Sequence, residues 1–197
     1  FSNYAALINY SATFAIGFLL SLYLQYIKGL NPQEAGLVLV AQPLLMTVFS
    51  PLSGKLSDKM DAGKIASIGM ALISTGLFII AFIGKDTEIK YIVPVLIVFG
   101  IGYALFSSPN SNAIMSSVEK KYYGIASGTI GTMRLIGQMS SMGIAMMIFS
   151  IFLGKEKINP SNYTEFIFSI RTAFLIFAVL CFIGVFFSLA RRNSKKE

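Results

Sequence analysis

Six long apolar runs occupy most of this 197-residue sequence and limit what it can fold into. An α-helix needs about 20 apolar residues to cross a hydrocarbon layer of roughly 30 Å. The six runs cover residues 4–27, 34–53, 65–84, 91–117, 124–153 and 166–190. They are far too long to be the short alternating strands of a membrane barrel. The sequence therefore predicts an all-α membrane protein with six transmembrane helices.

Composition agrees with this prediction and removes several other classes of protein. Hydrophobic residues make up 55% of the chain and charged residues 13%, whereas about a quarter of a soluble domain is charged. With no His and a single Cys, Cys181, the chain cannot build a His/Cys zinc site, a Ser-His-Asp or Cys-His catalytic centre, or an internal disulfide. It also contains no Walker A sequence. We expect no enzyme activity, no bound metal and no cofactor, and a small buried thiol at Cys181.

The charged residues predict how the six helices are oriented. One set of loops and the C-terminal tail hold nine basic and four acidic residues, and the other loops hold five of each. The nine are Lys55, Lys59, Lys64, Lys120, Lys121, Arg191, Arg192, Lys195 and Lys196. Cytoplasmic loops carry an excess of Lys and Arg, so we expect an integral protein of the plasma (inner) membrane with both termini of this sequence in the cytoplasm. This bias, together with Arg134 and Arg171, accounts for the net charge of +7 without a nucleic-acid partner.

Polar and small residues recur on one side of the first predicted helix. Steps of four residues keep them within a sweep of about 160°. They are Asn9, Thr13, Gly17, Ser21 and Gln25. Such a face either packs against another helix through hydrogen bonds or forms the wall of a cavity, and the sequence leaves both interpretations open.

The fifth predicted helix carries an arginine on a face rich in glycine. The face consists of two adjacent columns of one heptad seam. One column holds Gly124, Gly131, Gln138 and Ala145. The other holds Ser127, Arg134 and Ser141. Arg134 lies about 20 Å along the helix from Lys121, so it is too deep to reach the interface easily and needs a partner. Three partners remain open: a backbone carbonyl, a ligand, or an acid outside this sequence. Arg171, near the start of the sixth helix, is expected to anchor at the outer interface.

Local motifs predict where two helices begin or bend. Asn31-Pro32-Gln33-Glu34 offers an N-cap, a proline at the first helical position and an acid in the first turn. Glu34 is therefore interpreted as a cap residue rather than a proton carrier. Pro109, within the polar run from Ser107 to Asn112, predicts a kink or break in the fourth helix. A polar cluster at a broken helix is typical of transporter binding sites, although it also fits a simple helix end.

The run Gly54-Lys55-Leu56-Ser57-Asp58-Lys59 resembles the short cytoplasmic loop signature of the major facilitator superfamily, Gly-x-Leu-Ala/Ser-Asp-Arg/Lys. The sequence departs from the family after this point, because Asp61 stands where a Gly is usual. Residues 6–14, 107–118 and 122–138 are similar to the fourteen-helix drug:proton antiporter branch of that family. The resemblance covers nearly the whole chain, as a C-terminal half of six helices.

This resemblance implies two inverted three-helix repeats. The first and fourth helices would line a central cavity, the second and fifth would face the other half of the transporter, and the third and sixth would lie outside. In the family the Asp of the loop signature biases alternating access, a role that would fall to Asp58. An anion at a helix terminus is physically suited to this role.

The function expected from these patterns is secondary active transport, with efflux of hydrophobic or drug-like compounds, including cationic ones, in exchange for protons. The expected substrate-cavity residues are Asn9, Tyr10, Thr13, Phe14, Tyr103, Phe106 and Asn110. The expected residues of the conformational switch are Gly54, Asp58, Lys59, Arg134 and Gln138. No carboxylate lies in the middle of a helix, so either another part of the transporter binds the proton or transport is not coupled to protons.

Two alternatives remain open. A second copy of the chain, rather than a missing N-terminal half, could complete the transporter as a homodimer. A membrane scaffold subunit could instead use the glycine seam only for packing within the lipid bilayer.

Overall fold

The computed structural model of this chain describes residues 2–154 and 156–190. It contains six helical spans that are long and apolar enough to cross a membrane, and these residues form no strand. The spans are Ser2–Ile27 (span 1), Pro32–Lys59 (span 2), Ala62–Ile80 (span 3), Ile89–Met115 (span 4), Lys120–Phe152 (span 5) and Pro160–Leu189 (span 6). The predicted all-α architecture is confirmed. Lys155 and the basic tail with Arg191, Arg192, Lys195 and Lys196 lie outside the described residues.

Polar side chains begin spans 2 and 3. The amide of Glu34 donates to Asn31 Oδ1 and the amide of Asn31 donates to Glu34 Oε2, both at 2.9 Å. This reciprocal pair is a capping box, so the predicted cap role of Glu34 is confirmed. Asp61 accepts from the amides of Gly63 at 2.7 Å and Lys64 at 3.3 Å. The departure from the family's glycine at this position thus provides an N-cap for span 3.

Two spans are interrupted, and neither interruption is at the predicted place. Span 1 consists of α-helices Ser2–Thr13 and Ala15–Leu22 followed by a π-helical turn, Tyr23–Ile27. Span 2 divides at Val40 into Pro32–Leu39 and Ala41–Lys59. Proline lacks an N–H, so Pro43 cannot bond to the carbonyl four residues earlier, which accounts for the division of span 2.

The break expected at Pro109 does not occur, because span 4 is one α-helix from Ile89 to Met115. Pro109 and Asn110 are buried against neighbouring spans, and such packing makes proline tolerable inside membrane helices. The family signature from Gly54 to Lys59 also differs from expectation, since it forms the last turns of span 2 rather than a loop. An apolar run in the sequence indicates which side chains meet lipid. It does not indicate where the helix ends, because polar residues can continue the helical hydrogen bonds beyond it.

The packing of the spans has an internal symmetry. Span 1 packs on spans 5 and 6, span 4 packs on spans 2 and 3, and spans 3 and 6 pack on each other. Exchanging spans 1–3 with spans 4–6 leaves this set of pairs unchanged, as expected of two three-helix repeats. Spans 2 and 5 have only 6% and 22% of their most apolar windows buried, against 50% or more in spans 1, 3 and 4. These two spans therefore form the open side of the bundle.

Spans 3 and 4 pack so closely at Gly69 that their backbones are in contact. A Cβ added to Gly69 would lie 2.6 Å from the carbonyl oxygen of Gly102 and 2.7 Å from the nitrogen of Phe106, so only glycine fits there. The largest fully buried side chains are Tyr23, Phe99, Phe106, Phe166, Phe174 and Phe177. Cys181 is buried as predicted, and its thiol contacts the Met70 carbonyl at 3.4 Å. The apolar core thus lies mainly among spans 1, 3, 4 and 6.

Candidate functional site

A cavity of about 230 Å³ lies among spans 1, 2, 4 and 5. Its lining combines aromatic rings, carboxamides and one cation. The lining residues are Asn9, Tyr10, Thr13, Phe14, Gln42, Met46, Tyr103, Phe106, Ser107, Arg134 and Gln138. The structure therefore brings together all the residues predicted for a cavity except Asn110, which is buried in span 4. Arg134 and Gln138, predicted for a conformational switch, lie in the same lining.

The interruption of span 1 shapes one wall of the cavity. Thr13 Oγ1 donates to the carbonyl of Asn9 at 2.6 Å, a back-bonding pattern that bends helices. The amide of Ala15, which would donate to Ser11 in an unbroken helix, donates instead to Ser141 Oγ of span 5 at 2.9 Å. Ser141 is fully buried. A hydroxyl from the neighbouring span thus satisfies the amide freed by the interruption, beside the exposed ring of Phe14.

Span 2 reaches the cavity because it crosses span 4 closely. A Cβ on Gly100 would lie 2.5 Å from the carbonyl oxygen of Gln42 and 2.8 Å from Leu45 Cβ. The Gln42 side chain consequently reaches the lining together with Met46. Sequence reasoning missed Gln42 and Met46, and it noted Ser107 only as part of the polar run from Ser107 to Asn112. A signal for Gln42 was present, since it is a polar residue next to a proline in the middle of an apolar run.

Asn9 is the most unusual residue of the lining. Its side chain is fully buried, and neither its Oδ1 nor its Nδ2 has a hydrogen-bond partner among the described residues. A buried polar group left unpaired costs about 1–3 kcal/mol. The carboxamide thus retains unused hydrogen-bonding capacity at the cavity that Asn9 lines. The Thr13 side chain, one turn away, faces the Tyr103 hydroxyl.

Arg134 stacks on an aromatic ring rather than pairing with an acid. Its guanidinium carbon lies 5.3 Å from the centre of the Tyr10 ring, a cation–π geometry. The ion pairs found in residues 2–154 and 156–190 join Lys90 to Glu88 and Lys121 to Glu119 only. The sequence left three possible partners for Arg134. No backbone carbonyl binds its guanidinium in that part of the chain, so a ligand or an acid elsewhere in the protein is left as its partner.

The glycines of span 5 do not all lie against another span of this chain. Nothing described lies within 4 Å of a Cβ added to Gly124 or Gly131. The close approach occurs instead at Gly137, where a Cβ would lie 2.7 Å from Tyr10 Cβ and 2.9 Å from the Leu7 carbonyl oxygen. Heptad spacing identifies a face but does not reveal which part of it has a neighbour. Gly137 fixes the position of Tyr10 one turn from Arg134.

The signature residues at the end of span 2 are docked on span 4. Asn112 Nδ2 donates to Ser57 Oγ at 2.9 Å, and Ser57 Oγ donates to the Gly54 carbonyl at 2.7 Å. A Cβ on Gly54 would lie 3.1 Å from Ser108 Oγ. Asp58 and Lys59 are exposed, and neither side chain has a hydrogen-bond or ion-pair partner in the described ranges.

The remaining polar residues of span 1 lie away from the cavity. Gln25 Nε2 donates to Ser21 Oγ at 2.9 Å, and Gly17 is exposed. Arg171 is also distant, since its guanidinium donates to the Ile83 carbonyl at 2.5 Å, just beyond the end of span 3. Carbonyls at a helix C-terminus attract cations, so Arg171 acts there as a cap.

A model of the Major Facilitator Superfamily matches residues 4–197 of this chain. The riboflavin transporter RibZ of Clostridioides difficile (strain 630) is 28% identical over 176 residues, which cover 89% of this chain and 39% of RibZ. The uncharacterized transporter YebQ of Escherichia coli (strain K12) is 35% identical over 134 residues, or 68% of this chain and 29% of YebQ.

The tetracycline resistance determinant of Streptomyces rimosus is 29% identical over 140 residues, or 69% of this chain and 40% of that protein. The matched region thus covers less than half the length of each of these three relatives. Two of the three names are those of transporters and the third is that of a resistance protein.

Proposed function

Because this chain belongs to the Major Facilitator Superfamily, we propose that it forms one wall of the substrate cavity of a secondary active transporter that exports hydrophobic, drug-like compounds. The observation that carries the proposal is the cavity lined from spans 1, 2, 4 and 5. Aromatic rings such as Phe14 and Phe106 supply contact area for an apolar ligand, and carboxamides such as Gln42 and Gln138 orient it. The relatives named for riboflavin transport and for tetracycline resistance are consistent with organic substrates of this kind.

Alternating access requires the bundle to rock against another part of the transporter. Spans 2 and 5 are the least buried, which supports a contact with that part along these two spans. The end of span 2 joins this open side to span 4 through Ser57 and Asn112. We assign the switch to this end, with the exposed Asp58 as the group that binds across the contact in one of the two states.

Exchange for protons requires a carboxylate that is accessible from the membrane interior. The nine acidic residues of this sequence lie at the ends of the apolar runs or outside them. We therefore propose that, if protons drive export, the carboxylate belongs to a part of the transporter outside these 197 residues.

Export of the neutral dye Nile red from cells that express the complete transporter tests the cavity. Phe14→Ala removes a lining ring that is 47% exposed, and Phe78→Ala is the matched control, because Phe78 is 54% exposed on span 3 away from the cavity. We expect Phe14→Ala to slow export about fivefold or more and Phe78→Ala to leave it unchanged. Equal export by the two variants, or no export by the wild type, contradicts the proposal.

The switch is tested with Asp58→Asn, which removes the charge and keeps the shape. Loss of a coupling interaction of this type should lower the rate of Nile red export roughly fivefold or more. Nile red binding to the purified transporter should be retained. Lys55→Gln, on an exposed position of the same turn, is the control. Unchanged export by Asp58→Asn removes Asp58 from the switch.

A further inference from the structure

We propose that the cavity selects planar aromatic substrates that carry a negative charge, with Arg134 binding the anionic group. The inference rests on the proposed function and narrows its substrate class from hydrophobic compounds in general. It starts from the charge of the lining, in which Arg134 is the one charged residue among the described residues around the cavity.

No acid among the described residues neutralises the positive charge of Arg134, whose side chain is exposed in this chain. Burying a guanidinium in a membrane is costly unless it is paired or hydrated. The Tyr10 ring offers partial compensation at 5.3 Å, but no Asp or Glu lines the cavity within the described ranges. An anionic substrate would complete the pairing, whereas a cationic one would meet a like charge that no carboxylate of the described lining offsets.

The geometry around Arg134 favours a ligand that presents two oxygens side by side. A guanidinium is a planar fork of N–H donors that matches a carboxylate, sulfonate or phosphate with two parallel hydrogen bonds. The Tyr10 ring supports this fork, and Tyr10 is itself held by the close backbone approach at Gly137. This stacking restrains the exposed guanidinium before a ligand arrives, which reduces the entropic cost of binding.

The rest of the lining fits a flat ring system with a polar edge. Asn9 is fully buried and offers an unpaired acceptor at Oδ1 and unpaired donors at Nδ2. A ring that bears a donor next to an acceptor would satisfy both atoms. Phe14, Tyr103 and Phe106 supply aromatic surface around it. Asn9 is a second observation, independent of Arg134, that points to a polar ligand in this cavity.

Two xanthene dyes of opposite charge test the inference, because fluorescein is anionic and rhodamine 123 is cationic on the same ring system. Binding of each dye to the complete transporter in nanodiscs is measured by fluorescence anisotropy. We expect the wild type to bind fluorescein about tenfold or more tightly than rhodamine 123. Arg134→Gln should abolish this preference, and Arg134→Lys, which keeps the charge but not the fork, should retain part of it.

Lys121→Gln is the matched control for Arg134→Gln. It removes one positive charge from the same span at a site paired with Glu119 and outside the cavity. We expect it to leave the preference for fluorescein unchanged. An equal loss in both variants would assign the preference to the net charge of the protein and would overturn the role of Arg134.

The remaining outcomes separate this inference from the proposed function. Equal or tighter binding of rhodamine 123 by the wild type overturns the selection of anions, whether or not any variant folds. A preference for fluorescein that survives in both Arg134→Gln and Arg134→Lys places the anion site elsewhere and also overturns the inference. In either case, export of Nile red leaves the proposed function standing, whereas failure to bind either dye and to export Nile red removes both.

Discussion

Spans 3 and 4 meet closely at Gly69, whereas spans 1 and 5 add contacts of polar side chains to their close approach at Gly137. At the first contact Gly69 leaves no room for a Cβ against Gly102 and Phe106. At the second, Ser141 binds a freed amide of span 1 and Arg134 rests on Tyr10. Both contacts join apolar helices of ordinary length, so the difference is in what fills the space between them.

This difference separates stability from function within one bundle. The contact between spans 3 and 4 is close-packed, and close packing is what drives helices to associate within lipid. The cavity side retains Asn9 buried and unpaired, which costs folding free energy, and it retains an exposed Arg134 that has no acid partner among the described residues. Groups that are costly to bury are expected where a ligand repays the cost.

The largest expected effect comes from adding a side chain at Gly69, where spans 3 and 4 leave no room for one. Gly69→Val would force its side chain into backbone atoms that cannot move aside, so we expect a loss of about 3 kcal/mol or more in unfolding free energy and little folded protein. Gly143→Ala is the control, since nothing described lies within 4 Å of its Cβ. Thermal melts and size-exclusion profiles in detergent measure the effect. Equal stability of the two variants would mean that the contact between spans 3 and 4 is not the rigid one.

A smaller effect is expected at the interruption of span 1. Ser141→Ala leaves the buried amide of Ala15 without its partner, which should cost about 1–2 kcal/mol and lower Nile red export by displacing Phe14. Ser140→Ala is the control, because that exposed hydroxyl donates to Ile136 of its own span. Melting and export are measured on the same preparations. If the Ser140 variant is the weaker of the two, Ser141 does not hold the interruption.

The smallest effect, and the one with the opposite sign, is expected at Asn9. Asn9→Leu replaces an unpaired carboxamide by an apolar group of similar size, so stability should rise by about 1 kcal/mol. Fluorescein binding should nevertheless weaken by about tenfold. A thermal melt and an anisotropy titration of the same variant test both signs. A variant that loses stability and keeps its binding would show that Asn9 serves packing rather than the ligand.

The sequence predicted the features that depend on neighbours along the chain. The six spans and the capping box from Asn31 to Glu34 follow from local composition and spacing. Most residues expected in the cavity do lie together, because they are close along spans 1 and 4, although the rest of the four-residue repeat in span 1 lies away from the cavity. Their role in transport stays a prediction.

What the sequence could not predict depends on contacts between distant residues. The interruption at Phe14 involves Ser141, 126 residues away from Ala15, whereas Pro109, the obvious local signal, lies in a continuous helix. Gly124, Gly131 and Gly137 look alike in the sequence, yet only Gly137 has a close neighbour among the described residues. Gln42 enters the cavity because Gly100 admits span 2, and although a polar residue beside Pro43 is visible in the sequence, its contact with Gly100 is not.

The interruption at Phe14 also gives span 1 the mechanics of a short lever. The segment Ser2–Thr13 has 12 residues, which corresponds to a rod about 18 Å long. A rotation of roughly 10° at Phe14 would move the far end of this rod by about 3 Å, comparable to the diameter of a water molecule. The pivot is fastened to span 5 by the Ala15–Ser141 hydrogen bond. A small angular change beside the cavity would thus be amplified at the end of the span, provided that span 5 moves with it through the close contacts of Gly137 with Leu7 and Tyr10.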